Sequence, residues 1–160
     1  MSALAIRRGF RFPVEFNVAF PQGLVLNSTI VPLTKYNPDP RAIPEQEFDI
    51  DKKTGEGTGF PLWKATVTDP NEEKAKRKSF EVVFIAPVQP VPVTEEIVPG
   101  TGWRMVELEG LTAEPKVMGQ GEFKYLGYQF RATGIKGDTS GAKQAPNNVG
   151  ATRPSDDKAA

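Results

Sequence analysis

The stretch P-L-W-K-A-T-V-T-D-P-N-E-E-K-A-K-R-K-S-F-E-V-V-F-I-A, residues 61–86, decides the fold class. Its last part, Ser79–Ala86, is the strongest strand signal in the chain: β-branched and aromatic residues dominate it, with no Gly or Pro. Leu62–Thr68 has the same β character, and Asp69-Pro70-Asn71 ends it with turn-forming residues. Between the two, Glu72–Lys78 (EEKAKRK) reads as a single helical turn or as a long hairpin tip. On the N-terminal side, Asp51–Gly59 (DKKTGEGTG) is a glycine-rich turn, Phe48–Asp51 a short strand at most, and Asn37–Pro44 an extended loop with three prolines. Further back, Val14, Phe16, Val18 and Phe20 alternate with Glu15, Asn17 and Ala19, the period of a half-buried strand. A turn at Pro21-Gln22-Gly23 then sends the chain back through Leu24–Leu33 as a returning strand.

On the C-terminal side, Pro87–Pro99 holds prolines at 87, 90, 92 and 99, which favours a polyproline-like surface crossover with few backbone donors. Trp103–Val117 and Phe123–Thr133 form a last strand pair joined at Met118-Gly119-Gln120-Gly121. Beyond Gly134 aromatic residues vanish, and the remaining Gly, Ser, Asn, Pro and charge cannot bury enough apolar area to order a chain. The expectation is an all-β domain of five or six mostly antiparallel strands with at most one short helix. A small OB-like barrel fits that count, as do a jelly roll or another sandwich. The expected boundaries are a flexible N-terminal segment at 1–11, a β-barrel domain at 12–135 and a disordered tail at 136–160.

Composition narrows the chemistry. The 160 residues contain no Cys and no His, so disulfides, zinc sites, thiol nucleophiles and imidazole bases are excluded, and a Ser-His-Asp or Cys-His mechanism with them. No cofactor or metal is expected. Asp49 and Asp51 precede glycines as in a calcium loop, but no Glu stands at the twelfth position, and a hairpin turn accounts for them. Glu95 and Glu96 fall in the proline-rich crossover. Glu107 and Glu109 alternate with Val106 and Leu108 as the solvated face of a strand. None of these acidic pairs announces the shaped site that carboxylate catalysis needs, and the chain is not expected to be an enzyme.

Lys and Arg number 20, as do Asp and Glu, so any nucleic-acid footprint has to be local. The candidates for one are Lys76, Arg77 and Lys78 in the charged tip, Lys64 after Trp63, Arg104 after Trp103, and Tyr125 with Arg131 on one face of the last strand. Leu126, Tyr128 and Phe130 occupy the opposite face, expected to be core, and both Trp residues are expected to be buried. An outward aromatic ring beside basic residues is what stacking on bases and contacting phosphates require. The bland reading of the tip is a solvated loop that keeps a hairpin soluble. No apolar run approaches the roughly 20 residues that span a bilayer. Met1–Phe12 carries Arg7, Arg8 and Arg11 without the apolar core of a signal peptide, so a cytoplasmic protein with no membrane partner is expected.

Several short motifs also point beyond composition. D-K-K-T-G, P-L-W-K-A-T-V-T-D-P, S-F-E-V-V-F-I-A-P-V-Q-P-V-P, G-W-R-M-V-E-L-E-G-L-T-A-E-P and L-G-Y-Q-F-R-A-T-G occur in that order. The pattern, over roughly Val14 to Ile135, resembles the plasmid replication, integration and excision activators of actinobacterial mobile elements. The resemblance implies a cytoplasmic accessory or regulatory protein, linked to switching on replication and recombination genes, and assigns no residue a role. No helix-turn-helix is visible, so it implies no major-groove reader. Two functions follow as expectations: an accessory protein that binds single-stranded DNA and works with replication or recombination proteins, or a protein-interaction module without nucleic-acid contact.

Overall fold

The central hairpin forms as its sequence requires. In the computed structural model, which describes residues 9–142, β4 (Leu62–Thr68) and β5 (Ser79–Ile85) pair antiparallel, with Ala65 opposite Val82 and Val67 opposite Phe80. Trp63, Ala65 and Val67 thereby share a face with Phe80, Val82 and Phe84, and this face belongs to the hydrophobic core. The charged segment between them makes one helical turn, α2 (Ala75–Lys78), at the tip of the hairpin.

The other elements, in chain order, are β1 (Phe12–Pro13), α1 (Phe16–Ala19), β2 (Leu24–Leu26), β3 (Val31–Pro32), β6 (Arg104–Val106), β7 (Leu108–Glu109), β8 (Thr112–Met118), β9 (Tyr125–Ala132) and β10 (Gly134–Ile135). Eight strands form one sheet in the order β1-β8-β9-β5-β4-β2-β6, with β3 also paired to β4. The domain is therefore mostly β, as expected, but the sheet is not closed into a barrel: its path ends at β1 and β6. A separate ladder joins β7 to β10, extended by bonds from the Thr133 amide to the Glu109 carbonyl and from Lys136 to Glu107, both 2.9 Å. Most ladders are antiparallel, but β5 and β9 run parallel, with Val82 beside Phe130 and Phe84 beside Ala132.

Several expected strands are broken, each for a local reason. Val14–Phe20 is not a strand but contains the turn α1, so the described residues hold two short helices where at most one was expected. Phe16 and Phe20 are both buried whereas Val18 is exposed. Positions four apart share a helix face as readily as a strand face, and the exposure of Val18 separates the two. Pro21 disfavours a helical residue before it, and Phe20 leaves the helix at φ −130° and ψ 73°. The returning strand expected at Leu24–Leu33 divides into β2 and β3 because polar side chains replace its ladder. Ser28 Oγ accepts the Thr66 amide at 2.8 Å, and Asn27 Nδ2 donates to Thr68 Oγ1 at 3.0 Å.

Trp103–Val117 likewise divides into β6, β7 and β8. Gly110 makes the last break with φ at +63°, and a Cβ there would lie 2.2 Å from Thr133 Oγ1. Gly110→Ala is expected to destabilise the domain by about 1–3 kcal/mol, from strain at positive φ added to this clash. A urea midpoint indistinguishable from wild type would contradict the placement of that turn.

The ordered body is longer than the expected boundaries at both ends. Arg11, assigned to a flexible segment, pairs with Glu114 at 2.8 Å. Residues 136–142, assigned to a tail, pack against the crossover: buried Asp138 accepts the Val91 amide at 3.0 Å, and Ala142 is buried. The rest of the expected tail, 143–160, and residues 1–8 lie outside the described residues. Trp63 packs on the core and donates through Nε1 to the Ala86 carbonyl at 3.0 Å. Trp103, expected to be buried, is 44% exposed beside the crossover. No helix among the described residues is long and apolar enough to cross a membrane.

Candidate nucleic-acid interface

The β8–β9 hairpin pairs seven residues on each strand, from Thr112 opposite Arg131 to Met118 opposite Tyr125. The rest of the sheet covers only its root. β5 pairs with β9 at Phe130, Arg131 and Ala132 alone, so the start of β9 projects past its neighbour. This overhang creates a groove of about 420 Å³ between α2 and β9. Phe20, Phe80 and Phe130 line it, with ring centroids 5.2–5.9 Å apart: Phe20 stacks on Phe80 and meets Phe130 edge-to-face, and Phe80 and Phe130 are mutually tilted. Lys76 and Arg77 of α2 line one side, and Tyr125, Leu126 and Tyr128 of β9 the other.

Leu126 and Tyr128, expected to be core, are 61% and 48% exposed. Alternation placed them on the same face as Phe130, and Tyr128 packs against that ring at 6.4 Å. The body ends beneath Phe130, so the face continues while its cover does not. Tyr125 is partly exposed, as expected, and the Arg77 guanidinium lies over its ring at 5.9 Å from the centroid. Such a cation–π contact at an exposed site contributes about 0.5–1 kcal/mol and holds the cation at the lip of the groove.

Of the seven sequence candidates, Lys76, Arg77 and Tyr125 therefore come together. Lys78 follows on the same helical turn, its carbonyl accepting the Asp69 amide at 2.7 Å, but it does not line the groove. The remaining three lie elsewhere. Lys64 pairs with Glu81 at 3.8 Å on the face of β4 away from the core. Arg104 donates to the Thr94 carbonyl and ties β6 to the crossover. Arg131 is about 20 Å along the strand from Tyr125 at an extended rise per residue. It pairs with Asp49 at 3.6 Å, with three-quarters of its side chain covered, and anchors the loop that follows β3.

The acidic candidates are engaged in local structure. Asp49 accepts Thr58 N at 3.0 Å and Thr58 Oγ1 at 2.8 Å, while Asp51 Oδ1 accepts the amides of Lys53 and Thr54. Glu96 caps the loop before Trp103. Amides of Gly100 and Gly102 donate to its carboxylate and hold its pKa below the usual value. Glu107 pairs with Lys136 at 3.6 Å.

The sequence reading missed Phe20, Phe80 and Asp69 as groove residues. Phe20 and Phe80 carried the period of ordinary core strands, and Asp69 read as turn punctuation. Comparison of the chain with protein-family models, with curated proteins and with solved structures gives no match.

Proposed function

We propose that the protein binds single-stranded nucleic acid in the groove between α2 and β9, as a non-enzymatic accessory protein of plasmid or mobile-element DNA replication. The observation that carries this reading is the pair of half-exposed tyrosine rings, Tyr125 and Tyr128, set beside Lys76 and Arg77. Aromatic faces accept unstacked bases of any sequence, and the adjacent cations neutralise the phosphates that come with them. A duplex hides its base faces, so the arrangement suits a single strand. The balanced overall charge agrees with an interface confined to one lip of the sheet. The resemblance to replication activators supplies the biological setting.

A labelled single-stranded oligonucleotide titrated at two salt concentrations tests the proposal. Two or three phosphate contacts predict an affinity loss of about tenfold between about 50 and 200 mM salt. No binding at the lower concentration removes the proposal, because phosphate attraction is strongest there. The crossover supports the second reading, a protein-interaction module. Val91, Val93, Ile97, Val98 and Trp103 are each about half exposed along it, and recovery of a replication or recombination protein after nuclease treatment would favour that reading.

A further inference from the structure

The two edges of the β8–β9 hairpin are built differently. On the outer edge the Val14 amide donates to the Leu111 carbonyl at 3.0 Å. Backbone groups alternate in direction along a strand, so Pro115 and Val117 face outward where β1 no longer pairs with β8. Pro115 has no N–H to offer, and a second copy paired through Pro115 and Val117 would set the two Lys116 side chains opposite one another. That edge is closed to self-association. On β9 the same alternation turns Leu126, Tyr128 and Phe130 towards β5, but β5 pairs only from Phe130 onward. The N–H and C=O groups of Leu126 and Tyr128 thus face the groove without a backbone partner among the described residues. No proline and no charge lies within Tyr125–Gln129, and the Leu126 and Tyr128 side chains are about half exposed or more. An unpaired, uncharged, apolar edge of this kind is a template for a further strand.

We propose that this edge is a self-association site, where a second copy of the chain adds its own Tyr125–Gln129 antiparallel about a twofold axis. The segment is complementary to itself in one register. With Gly127 on the axis, Leu126 lies opposite Tyr128 of the second copy and exchanges both backbone hydrogen bonds with it, and Tyr125 lies opposite Gln129. Gly127 meets Gly127, so neither side chains nor like charges collide at the centre. Each copy also lays its Leu126 beside Tyr128 and Phe130 of the other, over the groove. An edge this short buries less than the roughly 1,200 Å² at which stable interfaces begin, so the dimer is weak, with a dissociation constant on the order of 0.1 mM. Pairing stops at two copies, because Pro115 and Lys116 block the edge of β8 and the crossover pairs with β6 at Glu96 and Arg104. The dimer does not depend on nucleic-acid binding, but the two share the groove, and a bound strand and a second copy exclude one another.

Sedimentation equilibrium of the full chain from about 10 µM to about 1 mM is expected to show a monomer passing to a dimer and nothing larger. Leu126→Pro removes an N–H that faces the groove and leaves the β8–β9 ladder intact, so it is expected to weaken the dimer at least about tenfold. Val117→Pro is the matched control. Val117 stands directly opposite Leu126, shares its exposed face and also turns its N–H outward, but on the blocked edge. Its dimer is expected to stay within about twofold of wild type. Hydrogen exchange on the wild type gives a readout that needs no variant: the Leu126 and Tyr128 amides are expected to be protected at the high concentration only. A monomer throughout, assembly beyond a dimer, exchange of these amides unchanged by concentration, or equal losses in the two folded variants overturns the proposal. A monomer whose Leu126 and Tyr128 amides become protected on adding a single-stranded oligonucleotide assigns the edge to nucleic acid instead. A dimer that binds no oligonucleotide at low salt overturns the nucleic-acid reading alone.

Discussion

Phe84→Ala is expected to lower the unfolding free energy by about 3–5 kcal/mol, the range for removing a fully buried aromatic ring. Phe84 is 0% exposed. It stands on β5 opposite Trp63 of β4 and beside Ala132 of β9, so its ring belongs to the part of the core where three strands meet. Neither neighbour can fill the void: Ala132 is too small, and the indole of Trp63 is held by its bond to the Ala86 carbonyl. Domains of this kind have about 5–15 kcal/mol in total, so the variant loses a large share of its stability. Urea unfolding followed by tryptophan fluorescence checks this, with a lowered midpoint and an unchanged slope. Phe84→Leu should recover much of the loss. A shift below about 1 kcal/mol for Phe84→Ala would contradict the packing described.

The second large effect concerns binding alone. In the double variant Lys76→Glu and Arg77→Glu, each substitution removes one attraction to a phosphate and adds one repulsion. A single pair of charges in water at contact is worth about 1 kcal/mol, reduced by salt. Two reversals together predict a loss of single-strand affinity of about 100-fold at low salt. Both side chains are exposed and neither makes an ion pair among the described residues, so the unfolding free energy is expected to fall by no more than about 1 kcal/mol, the worth of the lost contact of Arg77 with the Tyr125 ring. Fluorescence anisotropy and urea unfolding on the same preparation separate the two quantities. Undiminished affinity would place the nucleic acid elsewhere or remove it.

The contrast between β5 and α1 shows how much of the fold was legible. Ser79–Ala86 and Leu62–Thr68 were readable because dense β-branched and aromatic runs, closed by Asp69-Pro70-Asn71, have one favourable outcome. Val14–Phe20 was not, because alternate apolar positions include the four-residue spacing of a helical turn. The deciding fact is the burial of Phe16 and Phe20 without Val18, which arises only after packing. The parallel register of β5 with β9 leaves no mark on either strand.

The groove was half legible. Lys76, Arg77 and Tyr125 stood out as basic and aromatic residues, whereas Arg104 and Arg131 looked the same in sequence and proved to be anchors for the crossover and the loop after β3. Nothing in one dimension distinguishes an arginine with a distant carboxylate partner from one without. Tyr128 was placed on the correct face but in the wrong environment, since where a neighbouring strand stops is a tertiary fact.

The parallel pairing of β5 with β9 has a consequence for the order in which the protein can assemble on the ribosome. The β4–β5 hairpin is local and can close as soon as Ile85 has emerged. Until β9 is made, however, the far edge of β5 presents unpaired amides and carbonyls along Val82–Phe84, the stretch that β9 later covers, within the most β-prone sequence in the chain. At about 5–20 residues per second, the interval from Ile85 to Ala132 lasts roughly 2–10 seconds. During it, nascent chains on neighbouring ribosomes display the same open edge to one another. Glu81 on that strand and the cations of α2 at its mouth are then the charges that oppose edge-to-edge association.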